Sequence, residues 1–577
     1  MRVLFLHPED GAPAQSFPQK FDMVVDLARA PAATYARWSR QLGCEVKSIF
    51  DLADPVGDLA ALAKILRNPQ YQLLDEQGLD WWNLASYLAT DALSESLLLH
   101  RLAKTIGEGA ELVCTRPDRR VELLQRRLNA SLFNLASDGH STGHRIRHYR
   151  KVFSKLDQKQ IAQVIADKWD PQHRIRRIFG RREDSQRVPV VLLPSAYINV
   201  SRTAVAYARL LPEQQFLLIY ARSSGKLSDL PPNVRSAPLH PYYESGESRD
   251  LAGLLDRWKL LKQEMIATSE ELNQAALLGG LDVIPDFIAR GAGARDAWNQ
   301  VFDAHNVVGC LSADDTNAYS RIPLVLAEGR GMPSVACHHG ALDFRMAIKT
   351  RYGSAFLAKS EMERDYLENV CKVPDETIAL GAPHTPHFEA SAPSGRSWLA
   401  FFTEPYQADR WRMEEVYADL LPKLLDLSRS GGMRLVLKLH PFESVKEHRN
   451  LHARLLSPSQ RGELDILDGQ LAAKTWSKIK IALTVQSSVA LECTQRGVPV
   501  FLCTWLRARY GGYAEQFARF GAGQIVEQSS DLAFIPGRLA GYKVSSPEKL
   551  GSAINPKDLQ NLLVNRVTQI PEKARIL

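Results

Sequence analysis

Two polar clusters in the C-terminal third of the chain combine residue types that do chemistry. They are Lys438-Leu439-His440-Pro441 and Gln486-Ser487-Ser488-Val489-Ala490-Leu491-Glu492. Each follows an apolar run, 434–439 or 481–485, that is typical of a buried strand in a parallel sheet. Because ligands of α/β sheets bind where parallel strands end, both clusters are predicted to stand at one binding edge.

The second cluster has the features of an anion site. It opens a predicted helix that Gly497 closes. The hydroxyls of Ser487 and Ser488 and free backbone N–H groups therefore meet the positive end of a helix dipole. Lys438 and His440 are expected on one face of their strand, since alternate residues point the same way. The predicted occupant is a phosphate group.

His440 has two interpretations. Breaking a bond to a phosphate builds negative charge on it, and hydrogen-bond donors aimed at that phosphate stabilise the transition state. A protonated His440 would also act as a general acid, since an imidazolium loses its proton near neutral pH. Alternatively, His440 is a strand-end histidine that bonds a neighbouring carbonyl. Lys438 is either part of the positive site or a solvated edge lysine.

Composition places the chain among ordinary globular proteins. It has 577 residues, a length that can bury two or three hydrophobic cores. Of these residues, 45% are hydrophobic and 24% are charged, as in ordinary globular proteins. No apolar run reaches the length of a membrane-spanning helix, and residues 1–8 are too short an apolar stretch for a signal peptide. The seven cysteines lack metal-ligand spacing and are expected to be buried thiols. A cytoplasmic location is predicted.

The net charge of +7 is unevenly distributed. Arginines and lysines with few acids between them recur through residues 145–187, the basic belt. The belt is predicted either to contact anionic lipid head groups at the inner membrane or to be the solvated surface of a helical insertion. No pattern of stacking aromatic residues accompanies it, so nucleic acid is not expected as a partner.

Strand and helix patterns alternate along the chain, which indicates an α/β fold because parallel strands need crossover connections. We expect two doubly wound Rossmann-like lobes, residues 1–390 and 391–577, joined by a linker at 384–396. A helical insertion is expected at about 128–186 in the N-terminal lobe. The predicted strands before the linker, which we expect to share one sheet, are 2–6, 111–115, 188–194, 215–220, 307–311, 333–337, 355–358 and 377–380.

The order of these motifs resembles a family group, the glycosyltransferases of the two-lobed GT-B type. Among them, bacterial surface-polysaccharide enzymes that use CMP-activated acidic sugars, such as sialic acid or Kdo, carry motifs like His440-Pro441 and Ser487-Ser488. Glycerophosphotransferases that use CDP-glycerol look similar at both places and share an His-Gly pair, which His339-Gly340 matches. UDP-GlcNAc 2-epimerases resemble the frame 487–500 more loosely. The resemblance is good over about 353–503 and weak before it.

The resemblance implies an inverting glycosyltransferase of capsule or lipopolysaccharide assembly, with a nucleotide-sugar donor in the C-terminal lobe and a saccharide or lipid-linked acceptor facing it. It also implies that Glu492, one helical turn after Ser488, accepts both ribose hydroxyls; otherwise Glu492 faces solvent. The residues assigned to donor binding are Lys438, Pro441, Ser487, Ser488 and Glu492.

No metal or other cofactor is expected, because a helix dipole and basic side chains can replace a metal ion. Three alternatives to a glycosyltransferase stay open. They are a CDP-glycerol phosphotransferase, an epimerase-like enzyme, and a non-catalytic scaffold of a polysaccharide assembly complex.

The general base that deprotonates the acceptor has three candidates. His339 follows a predicted strand and lies beside a glycine that permits close backbone approach. Asp10, in Glu9-Asp10-Gly11, directly follows the first strand and is similar to the acidic motif that supplies the base in sialyltransferases. The pair Asp314-Asp315 is the third. Each is alternatively a helix cap or a turn residue.

Overall fold

Three parallel sheets with helices packed on them make up the described part of the chain. The structure is a computed structural model that describes residues 1–8, 10, 20–135, 188–243, 248, 250–314, 318–340, 342, 344–348, 353–384, 395–406, 410–507, 514–543, 550–551 and 553–564.

The first sheet has the strand order β3-β2-β1-β4-β5, with all neighbours parallel. Its strands are β1 Arg2–Leu6, β2 Met23–Asp26, β3 Glu45–Ser48, β4 Glu111–Cys114 and β5 Ser131–Asn134. We call residues 1–134, which contain this sheet and its helices, the N-terminal module.

The second sheet has the order β12-β11-β10-β9-β6-β7-β8, and the third has the order β15-β14-β13-β16-β17-β18. The strands of the second are β6 Val190–Ser195, β7 Gln215–Tyr220, β8 Val234–Pro238, β9 Val307–Ser312, β10 Ser334–Ala336, β11 Ala355–Ala358 and β12 Ile378–Leu380. Those of the third are β13 Trp398–Phe402, β14 Arg434–Lys438, β15 Leu464–Leu467, β16 Ile479–Thr484, β17 Val500–Cys503 and β18 Gln524–Val526.

The crossovers between these strands are mostly helical. The α-helices are Ala32–Leu42, Pro55–Leu66, Trp81–Ala85, Thr90–Ile106, Arg119–Leu128, Ile198–Ala208, Leu251–Thr268, Glu270–Leu277, Ile284–Ala304, Ala318–Gly329, Phe344–Ile348, Glu361–Asn369, Met413–Ser430, Val445–Leu455, Pro458–Gly462, Ala473–Trp476, Val489–Gln495, Ala514–Arg519, Ile535–Leu539 and Pro556–Val564. None of the described helices is long and apolar enough to span a lipid bilayer.

Both faces of each sheet are covered, which confirms the predicted α/β fold with doubly wound parallel sheets. In β1, Val3 and Phe5 lie in one buried cluster, and Leu4 and Leu6 lie in another. The same alternation holds in β6 and β13. Strands buried on two faces must be apolar at nearly every position, which is why their sequences are readable as continuous hydrophobic runs.

The prediction that all strands before the linker share one sheet is wrong. β1 pairs with β2 and β4, and β5 ends that sheet, whereas β6 pairs with β7 and β9. Three strands of the first sheet that the sequence does not predict, Met23–Asp26, Glu45–Ser48 and Ser131–Asn134, are only four residues long. Segments of that length are not distinguished from helical segments by periodicity, so the sequence does not reveal a separate sheet.

The predicted helical insertion at 128–186 begins with strand β5 instead of a helix, because Ser131–Asn134 pairs with β4 at the edge of the first sheet. The rest of that insertion, and most of the predicted linker at 384–396, lie outside the described residues. The boundary between lobes at residue 390 therefore stays a prediction.

The last described helix, Pro556–Val564, returns from the third sheet to pack on the second. Its Leu559 and Leu563 share a buried cluster with β6 residues, and Ala553 forms a parallel bridge with Ala382. The helix can approach β9 this closely because residue 309 is a glycine. A Cβ at Gly309 would stand 2.0 Å from the Leu563 carbonyl oxygen. The contact ties the end of the chain to the middle of the second sheet.

We expect Gly309→Ala to lower the free energy of unfolding by about 1–3 kcal/mol, the usual cost of inserting an atom into a packed interface. The matched control is Gly329→Ala, where an added Cβ meets nothing within 4 Å. Thermal unfolding of the two variants measures the difference. Equal Tm values would contradict the close packing of this helix.

Candidate functional site

His440 lies two residues past the end of β14, and its hydrogen bonds define its tautomer. The ring Nδ1 accepts a hydrogen bond of 3.2 Å from the backbone N–H of Phe442. A ring nitrogen that accepts carries no proton, so the proton of the neutral ring is on Nε2. Burial lowers the pKa of the ring and Lys438 lowers it further, against an opposite effect of Glu443. His440 is thus a neutral Nε2–H donor.

This geometry favours a neutral His440 over the protonated general acid, and the role of His440 stays a prediction. Desolvation disfavours the charged imidazolium, and the Phe442 N–H group would oppose a second N–H bond at Nδ1. The strand-end interpretation is also different from what we find, since the ring nitrogen accepts from an amide instead of bonding a carbonyl.

Glu443 holds the His440 turn in place. Its Oε2 accepts a 3.0 Å hydrogen bond from the His440 N–H and is hydrogen bonded to the Thr403 hydroxyl, while its Oε1 lies 3.0 Å from His448 Nε2. The Thr403 hydroxyl oxygen lies 3.0 Å from the same His440 nitrogen. These contacts join the ends of β13 and β14 to the helix Val445–Leu455. Sequence reasoning missed Glu443 and Thr403; their only signal is a polar residue directly after a buried strand or before a helix.

Lys438 interacts electrostatically with both His440 and Glu492. Burial lowers the pKa of Lys438, against the effects of Asp468, Glu443 and Glu492. Desolvation raises the pKa of Glu492, and its side chain is exposed to water. Lys438 is half-buried, so the interpretation as a fully solvated edge lysine does not hold.

Ser487 and Ser488 follow β16 and begin the helix Val489–Gln495, as expected. The Ser487 hydroxyl oxygen accepts a 3.3 Å hydrogen bond from the Val489 N–H, which leaves its own proton available, and Ser488 is exposed. The helix has only seven residues before the turn at Gly497, whose φ is 61°. A two-turn helix has a smaller dipole than we expected, and anion binding by the two hydroxyls stays a prediction. Pro441 is exposed beside the site.

A second cluster stands at the carboxyl ends of β6, β9 and β10 in the second sheet. His339 Nδ1 lies 3.3 Å from the Ala313 carbonyl oxygen, and the Tyr197 hydroxyl oxygen lies 3.0 Å from Nε2 and 3.3 Å from Nδ1 of the same ring. That hydroxyl is also hydrogen bonded to the Asp314 carboxylate, which can only accept and therefore takes the one phenol proton. Burial lowers the pKa of His339, opposed by Asp314 and the Ala313 carbonyl and reinforced by Lys359.

Asp314, His338 and His339 place one ligand-type atom each within 4.8 Å of one another, a spacing that suits a metal ion. The hydrogen bonds that these residues make are poorly suited to a metal ion. His338 Nδ1 accepts a 3.2 Å bond from the Gly340 N–H, so its Nε2 presents a proton instead of a lone pair. The Lys359 ammonium donates to the Gly340 carbonyl oxygen at 2.9 Å and adds positive charge. We interpret the group as a hydrogen-bonded relay.

Asp10 stands apart from this cluster, at the carboxyl edge of the first sheet. Its Oδ2 accepts a 2.7 Å bond from the His7 N–H and is hydrogen bonded to the Thr115 hydroxyl, and its Oδ1 pairs with Arg116 at 2.8 Å. These are the contacts of a turn residue. Asp10 and His339 thus lie on different sheets. A catalytic role of Asp10 stays a prediction, and Glu9, Gly11, Asp315 and the basic belt at 145–187 lie outside the described residues.

Comparisons with known proteins add distant similarities. No protein-family model matches the sequence, and no curated protein matches it. Among solved structures, a UDP-GlcNAc 2-epimerase from Neisseria meningitidis bound to UDP-GlcNAc is 10% identical and has a TM-score of 0.38, covering 65% of this chain and 99% of that chain. A glycosyltransferase from Rickettsia africae is 10% identical and has a TM-score of 0.35; the match covers 66% of this chain and 95% of that chain. The wall teichoic acid polymerase TagF is 10% identical and has a TM-score of 0.34; the match covers 72% of this chain and 96% of that chain. Likeness at this level does not assign a reaction to the chain.

We expect His440 to titrate with a midpoint below the ordinary value of 6.5, because its lowered pKa keeps the ring neutral until the solution is more acidic. NMR of protein labelled at histidine measures the midpoint, and the spectrum of His440→Gln identifies the resonance. A midpoint at or above 6.5 would contradict the neutral donor.

Proposed function

We propose that the protein is a two-lobed transferase that moves a group from a nucleotide-activated donor to a hydroxyl acceptor. The observation that carries the proposal is a pair of neutral histidines, one at the carboxyl edge of the third sheet and one at that of the second. His440 presents a proton on Nε2, and the neutral His339 ring keeps one nitrogen without a proton. A transfer of this kind needs a donor at the leaving phosphate and a base at the attacking hydroxyl.

On the donor side, the leaving phosphate gains negative charge as its bond to the transferred group breaks. The Nε2–H of His440 and the hydroxyls of Ser487 and Ser488 are the hydrogen-bond donors for that charge, and Lys438 adds positive potential. Glu492, whose side chain is exposed, accepts hydrogen bonds from the ribose hydroxyls of the nucleotide. Pro441 shapes the turn that presents the His440 ring.

On the acceptor side, His339 removes the proton of the incoming hydroxyl. Its lowered pKa keeps the lone pair available at neutral pH. Tyr197 and Asp314 orient the ring, and the charge of Asp314 stabilises the imidazolium that forms when the proton is taken. This relay makes His339 our candidate for the base, ahead of Asp10, whose carboxylate is already bonded three times.

The particular reaction that we propose is inverting glycosyl transfer by a GT-B type enzyme of bacterial surface-polysaccharide assembly, with a CMP-activated acidic sugar as donor. The acceptor is a saccharide or lipid-linked saccharide, no metal is used, and the basic belt at 145–187 contacts anionic lipid at the cytoplasmic face of the inner membrane. The support is the order of the His440-Pro441 and Ser487-Ser488 motifs together with the hydrogen-bond donors that they supply.

A CDP-glycerol phosphotransferase is the second candidate. Its support is the His339-Gly340 pair, because phosphoryl transfer also needs a base at the acceptor hydroxyl and donors at the leaving phosphate. Both candidates bind a cytidine nucleotide in the third sheet, and they differ in the bond that breaks. Offering CMP-sialic acid and CDP-glycerol to the protein and identifying the product by mass separates them.

We expect CMP or CDP to raise the Tm of the protein more than UMP, UDP, GMP or ADP at equal concentration. A ligand present at 100 times its dissociation constant adds about 2.7 kcal/mol of stability. Thermal shift followed by calorimetry makes the measurement. A clear preference for UDP would reject the CMP-activated donor.

Substitution by glutamine distinguishes the roles of the two histidines. A glutamine amide can replace an Nε2–H donor but cannot take a proton, so His440→Gln should retain more turnover than His440→Ala. His339→Gln and His339→Ala should be equally inactive. We expect His440→Ala to lower kcat about 100-fold or more, measured with any accepted donor.

Asp10→Asn is the matched test of the alternative base, and we expect it to have a small effect on turnover. Nucleotide binding should survive in His339→Ala, since the base acts only on the acceptor. An inactive Asp10→Asn beside an active His339→Ala would overturn the assignment of the base. Activity in both variants would move the base to Asp314 or Asp315.

A further inference from the structure

The carboxyl edge of the first sheet, where such a sheet would bind a ligand, is filled by a side chain from another part of the protein. Arg412, which precedes the helix Met413–Ser430, inserts its guanidinium there. Its Nη2 donates to Asp26 Oδ1 at 2.7 Å and to the His7 carbonyl oxygen at 3.0 Å, and its Nη1 donates to the Pro8 carbonyl oxygen at 3.3 Å. The two charged side chains are 2% and 0% exposed.

The N-terminal module is built to receive Arg412. The second carboxylate oxygen of Asp26 accepts a 2.8 Å bond from the Tyr35 hydroxyl, and the Trp38 ring lies 5.5 Å from the guanidinium carbon. The backbones join as well, since the Arg29 N–H donates to the Arg410 carbonyl oxygen at 3.0 Å and the Arg412 N–H donates to the Arg29 carbonyl oxygen at 2.8 Å. Five groups of the N-terminal module thus fix one short segment: the Asp26 carboxylate, the Trp38 ring, the His7 and Pro8 carbonyls and the Arg29 backbone.

That segment continues into the candidate donor site. The Trp411 N–H donates to the Tyr406 carbonyl oxygen at 3.0 Å, and the Tyr406 N–H donates to the Glu404 carbonyl oxygen at 2.8 Å. The residue before Glu404 is Thr403, whose hydroxyl contacts the His440 N–H and the Glu443 carboxylate. Hydrogen bonds and peptide bonds together therefore connect the Arg412 anchor to the turn that sets the His440 tautomer.

We propose that the N-terminal module is a positioning domain for the donor site, acting through the Asp26–Arg412 pair on residues 403–406 and 410–412, which we call the connection. The module binds no substrate at this edge; its ligand is the Arg412 side chain. The Asp26–Arg412 pair fixes one end of the connection, and this positions Thr403 at the other end. Thr403 and Glu443 together then fix the His440 turn. The inference rests on the proposed function for what the donor site binds, but the ordering of the turn does not depend on it.

The first test measures the affinity for CMP and CDP by calorimetry. Arg412→Lys keeps the charge and loses the fork that reaches His7 and Pro8. We expect it to weaken binding about fivefold or more, within the usual range of coupling between sites. The matched control is Asp365→Asn, which breaks the ion pair of Asp365 with Arg519 between the second and third sheets. Control binding should equal that of the unaltered protein.

Equal binding by Arg412→Lys and the unaltered protein would overturn the proposal. Equal weakening in Asp365→Asn would also overturn it, because the effect would then be general loosening between domains. A double-mutant cycle with Thr403→Val adds a specific signature. If the anchor acts through Thr403, the two substitutions together should weaken binding by less than the product of their separate effects.

The second test needs no nucleotide. Hydrogen exchange over residues 436–443 should be faster in Arg412→Lys than in the unaltered protein or Asp365→Asn, because the His440 N–H loses its fixed acceptors. Unchanged exchange would reject the coupling even if the protein binds CMP and CDP. Faster exchange in a protein that binds neither nucleotide would keep the coupling and reject the proposed donor. Asp26→Asn, if it folds, should behave as Arg412→Lys.

Discussion

Every strand in the described part of the chain runs parallel to its neighbours, and the rest of the structure depends on this constraint. A parallel strand cannot be reached by a tight turn, so each connection crosses the sheet and every strand ends at the same edge. Side chains far apart in sequence therefore gather at three edges: the Arg412 anchor at the first, His339 at the second and His440 at the third. The second and third sheets share one continuous buried cluster, which joins their cores.

The two candidate histidines show how hydrogen-bond partners divide one side-chain type into two chemical roles. Burial lowers the pKa of both rings, so both are neutral near pH 7. The Phe442 N–H leaves His440 with a proton on Nε2, whereas the His339 ring lies against the Ala313 carbonyl and the Tyr197 hydroxyl. Desolvation disfavours the charged form of both rings, and the groups around each ring decide what its nitrogens can donate or accept. Neither effect is visible in the residue type.

The buried Asp26–Arg412 pair links fold and site. Taking two charges out of water is expensive, and removing one partner leaves the other buried and uncompensated, at a cost of about 3–5 kcal/mol. Such a pair adds little net stability, but it joins the N-terminal module to the residue that precedes the helix Met413–Ser430. The carboxyl edge of the first sheet holds a guanidinium supplied by the C-terminal part of the chain.

The sequence by itself determined the α/β class, most strand positions in the second and third sheets, and the placing of His440, Ser487 and His339 after strands. Burial on two faces forces continuous apolar runs, and polar residues at their ends stand out. Only the tertiary structure decided that residues 2–134 form a separate sheet, that Glu443 and Thr403 hold the His440 turn, and that Arg412 fills the first edge. Strand pairing, hydrogen-bond partners and docking depend on contacts between residues distant in sequence, which local patterns do not record.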